Sequence, residues 1–352
     1  MSLRHGYTTG TCASAAARAA VMLLLGEPAP GSVEVILPDH ARACLPVDSC
    51  RVGRNYAEAS VLKDAGDDPD ITDGLPVTAR VCWNRSGEIV LMAGEGIGTA
   101  TKPGLQVKPG DPAINPVPAA MIRSAVRELT GRGVDIILSI PGGRELAART
   151  FNPRLGITGG LSILGTTGRV RPFSCSAIRQ TIRCCLDIAR ACGIDNPVLV
   201  PGHIGEKAAR MHFPLRPEQV IEVSNEWGHT LDILLEYCPS SILALGHPGK
   251  LAKLANGSFD THSSRSGSTL PFVKDMAQSL SGQNLQDILT VEGVFAALET
   301  GDRERFANAL AAAVRSAAAS RLHATTPLAV ILVDMKGNRL GAAGELSPWE
   351  ES

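Results

Sequence analysis

From Asn196 onward the chain repeats one order three times: a short apolar run, a glycine turn, then a helix-forming stretch. "NPVLVPGHIGEKAARM", "EQVIEVSNEWGHTLDILLEY" and "SSILALGHPGKLAKLANG" each follow it. Strand, turn and helix in series build a parallel sheet. "RERFANALAAAVRSAAASRLH" adds a further helix and "PLAVILVDM" a last strand. Residues 195–352 are therefore expected to form an α/β, Rossmann-like domain with a small parallel sheet.

The preceding residues follow a different grammar. "TCASAAARAAVMLLLG" reads as a helix from Thr11, capped by Thr11 or Thr9 and stopped by Gly26 and Pro28. "SVEVILP", "YAEASVLKD", "VTARVCWN" and "EIVLMAG" are strand candidates. "PAAMIRSAVREL" is a helix with proline in its first turn, and "VDIILSI" a buried strand. "CSAIRQTIRCCLDIARACG" is an amphipathic helix ended by Gly193. The boundary is expected near Gly193–Pro197, giving an α+β domain over 1–194. A chain of 352 residues suits two such domains.

Composition excludes several function classes. Aromatic residues are 4% of the chain and the formal net charge is −1 with no basic stripe, which argues against nucleic acid. Nine cysteines without paired spacing suit reduced, cytoplasmic usage better than a disulfide frame or zinc site. "AAVMLLLG" is too short to cross a membrane. A homodimer is the default assembly.

Two glycine-rich segments, "GEGIGTATKPG" (94–104) and "GGLSILGTTG" (159–168), carry the first candidate site. Bare backbone and small hydroxyls let a bulky or anionic ligand approach the main chain. Neither segment is a phosphate motif. "DAGDDPDITDG" (64–74) supplies Asp64, Asp67 and Asp70 as proton acceptors or hydrogen-bond acceptors, and Gly66 and Pro69 exclude an EF-hand. Glu95, between two glycines, is a similar candidate. "GYTTGTCASAA" places Thr8, Thr9 and Thr11 at a helix start suited to an anion; Cys12 there would have a depressed pKa if exposed, but it is read as a packed small residue. Arg4, His5 and Lys102 could pair with carboxylates.

In the second half "VLVPGHIGEKAA" resembles the first turn of a nucleotide-binding unit, with Gly202 and Gly205 but without the third glycine, so hydride chemistry is not licensed. Ser224, Asn225 or Glu226 could meet a ribose. His247, Lys250, Lys253 and His262 gather around "LALGHPGKLAKLANGSFDTHSS", near the carboxyl end of a parallel strand.

"GYTTGTCASAAARAA", "DAGDDPDITDG", "GEGIGTATKPGL", "INPVPAAMI", "TFNPRLGITGGLSILGTTG" and "GHPGKLAKLANGSFDTH" together resemble the cobalt-precorrin-5B C1-methyltransferases, the CbiD family, from Tyr7 to His262. The resemblance implies methyl transfer from S-adenosylmethionine to C1 of a corrin precursor whose cobalt arrives with the substrate, with no metal site built from protein ligands. It implies an amino domain related to the second domain of ribosomal protein S5. Asp64, Asp67, Glu95 and His262 are then the candidates for catalysis. Candidates for binding substrate or donor are Thr8, Thr9, Thr11, Asp70, Gly96, Gly98, Lys102, Asn115, Gly160, Ser162, Gly165, Thr166, Thr167, His247, Lys250 and Lys253. The glycines of 159–168 are expected to clear room for the macrocycle or the adenosyl group. Two rivals are a small-molecule kinase on an S5-like domain and a non-catalytic tetrapyrrole carrier.

Overall fold

A computed structural model describes residues 3–172, 175–324 and 326–350. The chain divides into two compact units, Met1–Ser174 and Cys175–Ser352. This division falls earlier than the expected one because the helix Cys175–Ala191 belongs to the second unit. Its Ile182, Leu186 and Ala189 share a core with Leu199, Ile221, Trp227 and Leu231. An amphipathic stripe announces that a helix will be buried, but not which core receives it.

The first unit is built on the helix Thr9–Leu24, which is buried nearly all round. Cys12, Ala13, Ala15, Ala16, Ala17, Ala19, Ala20 and Val21 have no exposed surface. A helix this apolar on every side belongs inside a core, and its alanines let neighbours come close. It lies against the strands Ala57–Leu62 and Pro76–Trp83 and the helix Pro116–Arg127. The sheet order is Ser49–Val52, Ala57–Leu62, Pro76–Trp83, Val134–Ser139, Ile89–Ala93. Val77, Ala79 and Val81 alternate inward, as do Val134, Ile136 and Leu138, as expected for a sheet with one covered face. All pairings are antiparallel except the last. Ile89–Ala93 runs parallel to Val134–Ser139, so both strands end at the same edge. The hairpin partner Arg42–Pro46 and the edge strand Ser49–Val52 carry weak patterns and escape the sequence.

Cys12 sits in the first turn of the buried helix. It is packed, as expected, and burial pushes its thiol up to about 12. A thiol reagent is therefore expected to label the exposed Cys44 and Cys238 in the native protein and Cys12 only after denaturation. Native-state labelling of Cys12, read by peptide mass, would contradict this packing.

In the second unit the sheet order is Val220–Glu222, Val198–Val200, Ile242–Gly246, Leu328–Val333, Arg339–Ala343. The first four strands are parallel and the last is antiparallel. In chain order this is 2-1-3-4-5, the flavodoxin-like winding, with its switch point between Val198–Val200 and Ile242–Gly246. Successive residues of each strand point into opposite cores. Leu199, Ala244 and Val330 join the Trp227 side, while Val198, Val200, Leu243 and Leu245 join Phe213 and Trp349. Both faces being covered, the strands read as unbroken apolar runs. The helices Leu270–Ser281 and Val291–Ala297 were not legible in the sequence.

Candidate functional site

The two glycine-rich segments lie against each other. Ile97 bridges Leu161, Gly98 N donates to Leu161 O at 2.8 Å, and Leu161 N donates to Gly96 O at 2.8 Å. A Cβ on Gly160 would stand 2.3 Å from Gly96 O, and one on Gly98 2.5 Å from Ile157 Cγ2. At Gly165, φ is +127° and a Cβ would fall 2.4 Å from Thr8 Cβ. The bare backbone at Gly98, Gly160 and Gly165 is thus taken up by the protein itself. This corrects the expectation that Gly160 and Gly165 clear room for a ligand. Gly159, by contrast, has open space where a side chain would be.

The threonines at the buried helix start are latches on the same segment. Thr9 Oγ1 donates to Ser162 O at 3.2 Å and accepts from Leu164 N at 2.9 Å. Thr11 Oγ1 donates to Gly168 O at 2.7 Å, and Thr8 caps the helix by accepting from Thr11 N. Gly10 N donates to Leu164 O. The backbone donors at Thr8, Gly10 and Thr11 are thus engaged by the protein, not turned to an anion. Ser162 Oγ donates to Asn152 Oδ1, Asn115 N donates to Ile163 O, and the Thr167 hydroxyl donates to Arg169 O. Thr166 is exposed on the same segment.

The acidic loop is likewise internally satisfied. Arg4 donates through Nη1 to Asp64 at 2.5 Å and through its backbone N–H to Asp67 at 2.6 Å. The hydrogen bond from the Arg4 guanidinium holds the Asp64 carboxyl below the usual range. Lys63 Nζ, almost wholly buried, donates to Asp70 Oδ2 at 2.7 Å, and Asp70 Oδ1 accepts from Thr72. Burial opposes ionisation of Asp70, but the Lys63 charge and these hydrogen bonds outweigh it and lower its pKa. Asp70 therefore adds stability that is fully present above the unfolded carboxylate value near ~4 and lost as pH falls through its lower folded value. Asp70→Ala strands a buried ammonium and is expected to cost about 3–5 kcal/mol. The double variant Lys63→Met/Asp70→Ala should recover most of that in denaturant titrations. A double variant as unstable as the single one would contradict the pairing.

One sequence candidate does face a cavity. Glu95 and Gly96 line a cleft of about 550 Å³ with Thr99, Arg144, Glu145, Thr158 and Gly159. The parallel pair Ile89–Ala93 and Val134–Ser139 ends here, and the two glycine-rich segments meet beside it. Its volume suits a small-molecule site, and carboxylates, a guanidinium and hydroxyls converge on it. Thr99, Arg144, Glu145 and Thr158 were not among the sequence candidates. Lys102 lies outside the lining, its Nζ donating to Arg154 O at 3.4 Å.

In the second unit the carboxyl ends of the parallel strands gather the remaining candidates. His247 caps the helix Pro248–Ala255 by accepting at Nδ1 from Gly249 N at 3.1 Å, which turns Nε2 toward Glu292 at 3.4 Å. Burial lowers its pKa, only partly opposed by Glu292 and Asp334. Both carboxylates line a 300 Å³ cleft with His247, Phe295 and Lys336. Lys250 donates to Asn225 Oδ1, which also accepts from Thr261. Burial lowers the Lys250 pKa. Lys253 is buried and donates to Thr261 O and Ser266 Oγ, so it pins the polar 256–267 loop. His262 is exposed and its ring pairs with Ser264. Glu226 is buried between Arg179 and Arg265. Among the described residues no group of three or more His, Cys, Asp or Glu is arranged to hold a metal ion.

Comparison with known proteins adds to this geometry. The family model CbiD matches residues 1–172, and the model for the CbiD C-terminal domain matches 260–344. A cobalt-precorrin-5B C(1)-methyltransferase of Syntrophotalea carbinolica is 49% identical over 348 residues, covering 99% of both chains. The chain belongs to the CbiD family. Another CbiD relative, the protein of the same name from Moorella thermoacetica, is 41% identical over 347 residues, 96% of this chain and 94% of that one. The crystal structure of the cobalamin biosynthesis protein cbiD of Archaeoglobus fulgidus is 30% identical, with a TM-score of 0.40 over 75% of this chain and 83% of that one.

Proposed function

We propose that this protein methylates C1 of cobalt-precorrin-5B in anaerobic cobalamin biosynthesis, giving cobalt-precorrin-6A, with S-adenosylmethionine as donor. The observation that carries this is the end-to-end likeness to relatives bearing that enzyme name, at up to 49% identity. The methyl of a sulfonium is already activated. The ring carbon attacks it, the carbon–sulfur bond breaks, and a neutral thioether leaves with the bonding pair. The protein's main task is alignment, and holding reacting atoms ~3–3.5 Å apart can supply roughly 7–11 kcal/mol of the barrier reduction. No covalent enzyme intermediate is needed.

Methylation delivers CH3+ and raises the ring's charge by one; loss of one proton, whose bonding pair stays on the ring, restores that charge and requires a proton acceptor. Asp64 and Asp67 are engaged by Arg4, whereas Glu95 lines a cleft of about 550 Å³. Glu95 is therefore assigned as that acceptor, with Arg144, Thr99 and Thr158 as partners for the carboxylate-edged substrate, and the cobalt enters as part of the substrate. The donor is assigned to the second unit, whose parallel sheet has the winding that holds nucleotides at its switch point. The amino unit, an antiparallel sheet backed by helices and closed by one parallel crossover, is assigned to the class of ribosomal protein S5's second domain. A cytoplasmic homodimer is the working form; the nine free cysteines suit that compartment, and no helix among the described residues is long and apolar enough to cross a membrane. Anaerobic incubation with cobalt-precorrin-5B and the donor is expected to give a product heavier by one methyl. Substrate recovered unchanged from folded protein would overturn the proposal.

A further inference from the structure

The second unit holds another cavity, at the opposite end of its sheet from His247. Its volume is about 640 Å³, within the range of small-molecule sites. Asn196, Ser241 and Pro327 line it, and each stands just ahead of one parallel strand, Val198–Val200, Ile242–Gly246 and Leu328–Val333 in turn. Because those strands are parallel neighbours, the three residues meet at one edge. Leu328, Ala329, Pro348 and Trp349 give the cavity an apolar wall.

Ser241 sets this cavity apart. It is 5% exposed, and its buried Oγ has no hydrogen-bond partner among the described residues. Leu243 and Leu245 share a core with Trp349, whereas Ile242 and Ala244 pack on the other face. Strand alternation therefore puts the Ser241 side chain on the Trp349 side, where the cavity lies. Buried polar groups in folded proteins are nearly always paired, so an orphan beside a cavity points to an occupant. The rim carries charge of both signs. Arg315 donates Nε to Leu328 O at 2.7 Å, which anchors the guanidinium and leaves its Nη groups without a hydrogen bond among the described residues. Asp195 and Glu345 stand on the same rim, the first accepting from Ser240 and the second from Ser347 N. A ligand that is only an anion would meet these two carboxylates, and one that is only a cation would meet the guanidinium.

We propose that this cavity binds an α-amino acid with a large apolar side chain. Arg315 pairs with the ligand carboxylate through its free Nη groups, and Asp195 and Glu345 face the ammonium. The side chain lies along Leu328 and Trp349, and Ser241 Oγ gains the hydrogen bond it lacks. The site is separate from methyl transfer: its residues belong neither to the Glu95 cleft nor to the carboxyl ends of the strands.

The test is calorimetric titration of the full chain with L-phenylalanine and L-leucine, and with the counterparts of each that lack the amine or the carboxylate. The amino acids are expected to bind at least about tenfold more tightly than those counterparts. Ser241→Ala is expected to weaken their binding about 3- to 30-fold while melting at the wild-type temperature or above, because the deleted hydroxyl had no protein partner. Arg315→Met, with its folding checked by thermal melting, should lose the preference for the amino acid over the amine. Wild type that binds neither amino acid, or binds a counterpart equally well, overturns the proposal whatever the variants do. So does a Ser241→Ala protein that melts below wild type, or a folded one that keeps full affinity.

Discussion

Gly160→Val is expected to abolish the cooperative unfolding transition of the amino unit or to lower its stability by more than about 3 kcal/mol. The added side chain would begin 2.3 Å from Gly96 O and 2.4 Å from Gly96 C, both backbone atoms that cannot rotate away. Relief requires separating the 94–100 and 157–163 segments. The hydrogen bonds Gly98 N to Leu161 O and Leu161 N to Gly96 O would break, in a region with Ile97, Leu161 and Ile163 in its core. Gly159→Ala is the control. Its Cβ meets nothing within 4 Å, so only the strain of a residue at φ +83° remains, roughly 1–2 kcal/mol. Chemical denaturation of both variants decides the matter. A Gly160→Val protein as stable as Gly159→Ala would show that the two segments are not packed as described.

Glu95→Gln is expected to lower kcat by about 10²- to 10⁴-fold, the usual worth of a positioned proton acceptor. The amide keeps the shape and most of the hydrogen bonding but cannot take the proton. KM for the corrinoid should therefore change little, and melting should be unaffected because Glu95 is exposed. Asp64→Asn, which loosens the Arg4 contact at the loop surface, should leave kcat near wild type. If Asp64→Asn were the inactive variant and Glu95→Gln the active one, the acidic loop and not the cleft would hold the acceptor.

The main elements were legible because their periodicities are strong. The alanine-rich buried helix, the alternation at Val77, Ala79 and Val81, and the unbroken apolar strands of the second sheet all follow from local pattern. The sites were less legible, for one physical reason. A glycine says that something comes close to the backbone, not what comes close. At Gly160 and Gly165 the neighbour is the protein, at Gly159 it is open space, and only the tertiary fold separates the cases.

The acids of 64–73 show the same limit. Their number could be read, but Arg4 lies sixty residues away from Asp64 and Lys63 is buried beside Asp70 only after the loop has folded. Arg144 and Thr158 reach the Glu95 cleft from separate segments that no local motif connects.

The most direct measurement uses S-adenosylmethionine labelled with carbon-13 in its methyl group, supplied anaerobically with cobalt-precorrin-5B and the purified chain. Carbon NMR of the isolated product is expected to show the label bonded to C1 of the ring. Label on any other carbon, or label left wholly in the donor, would contradict the account.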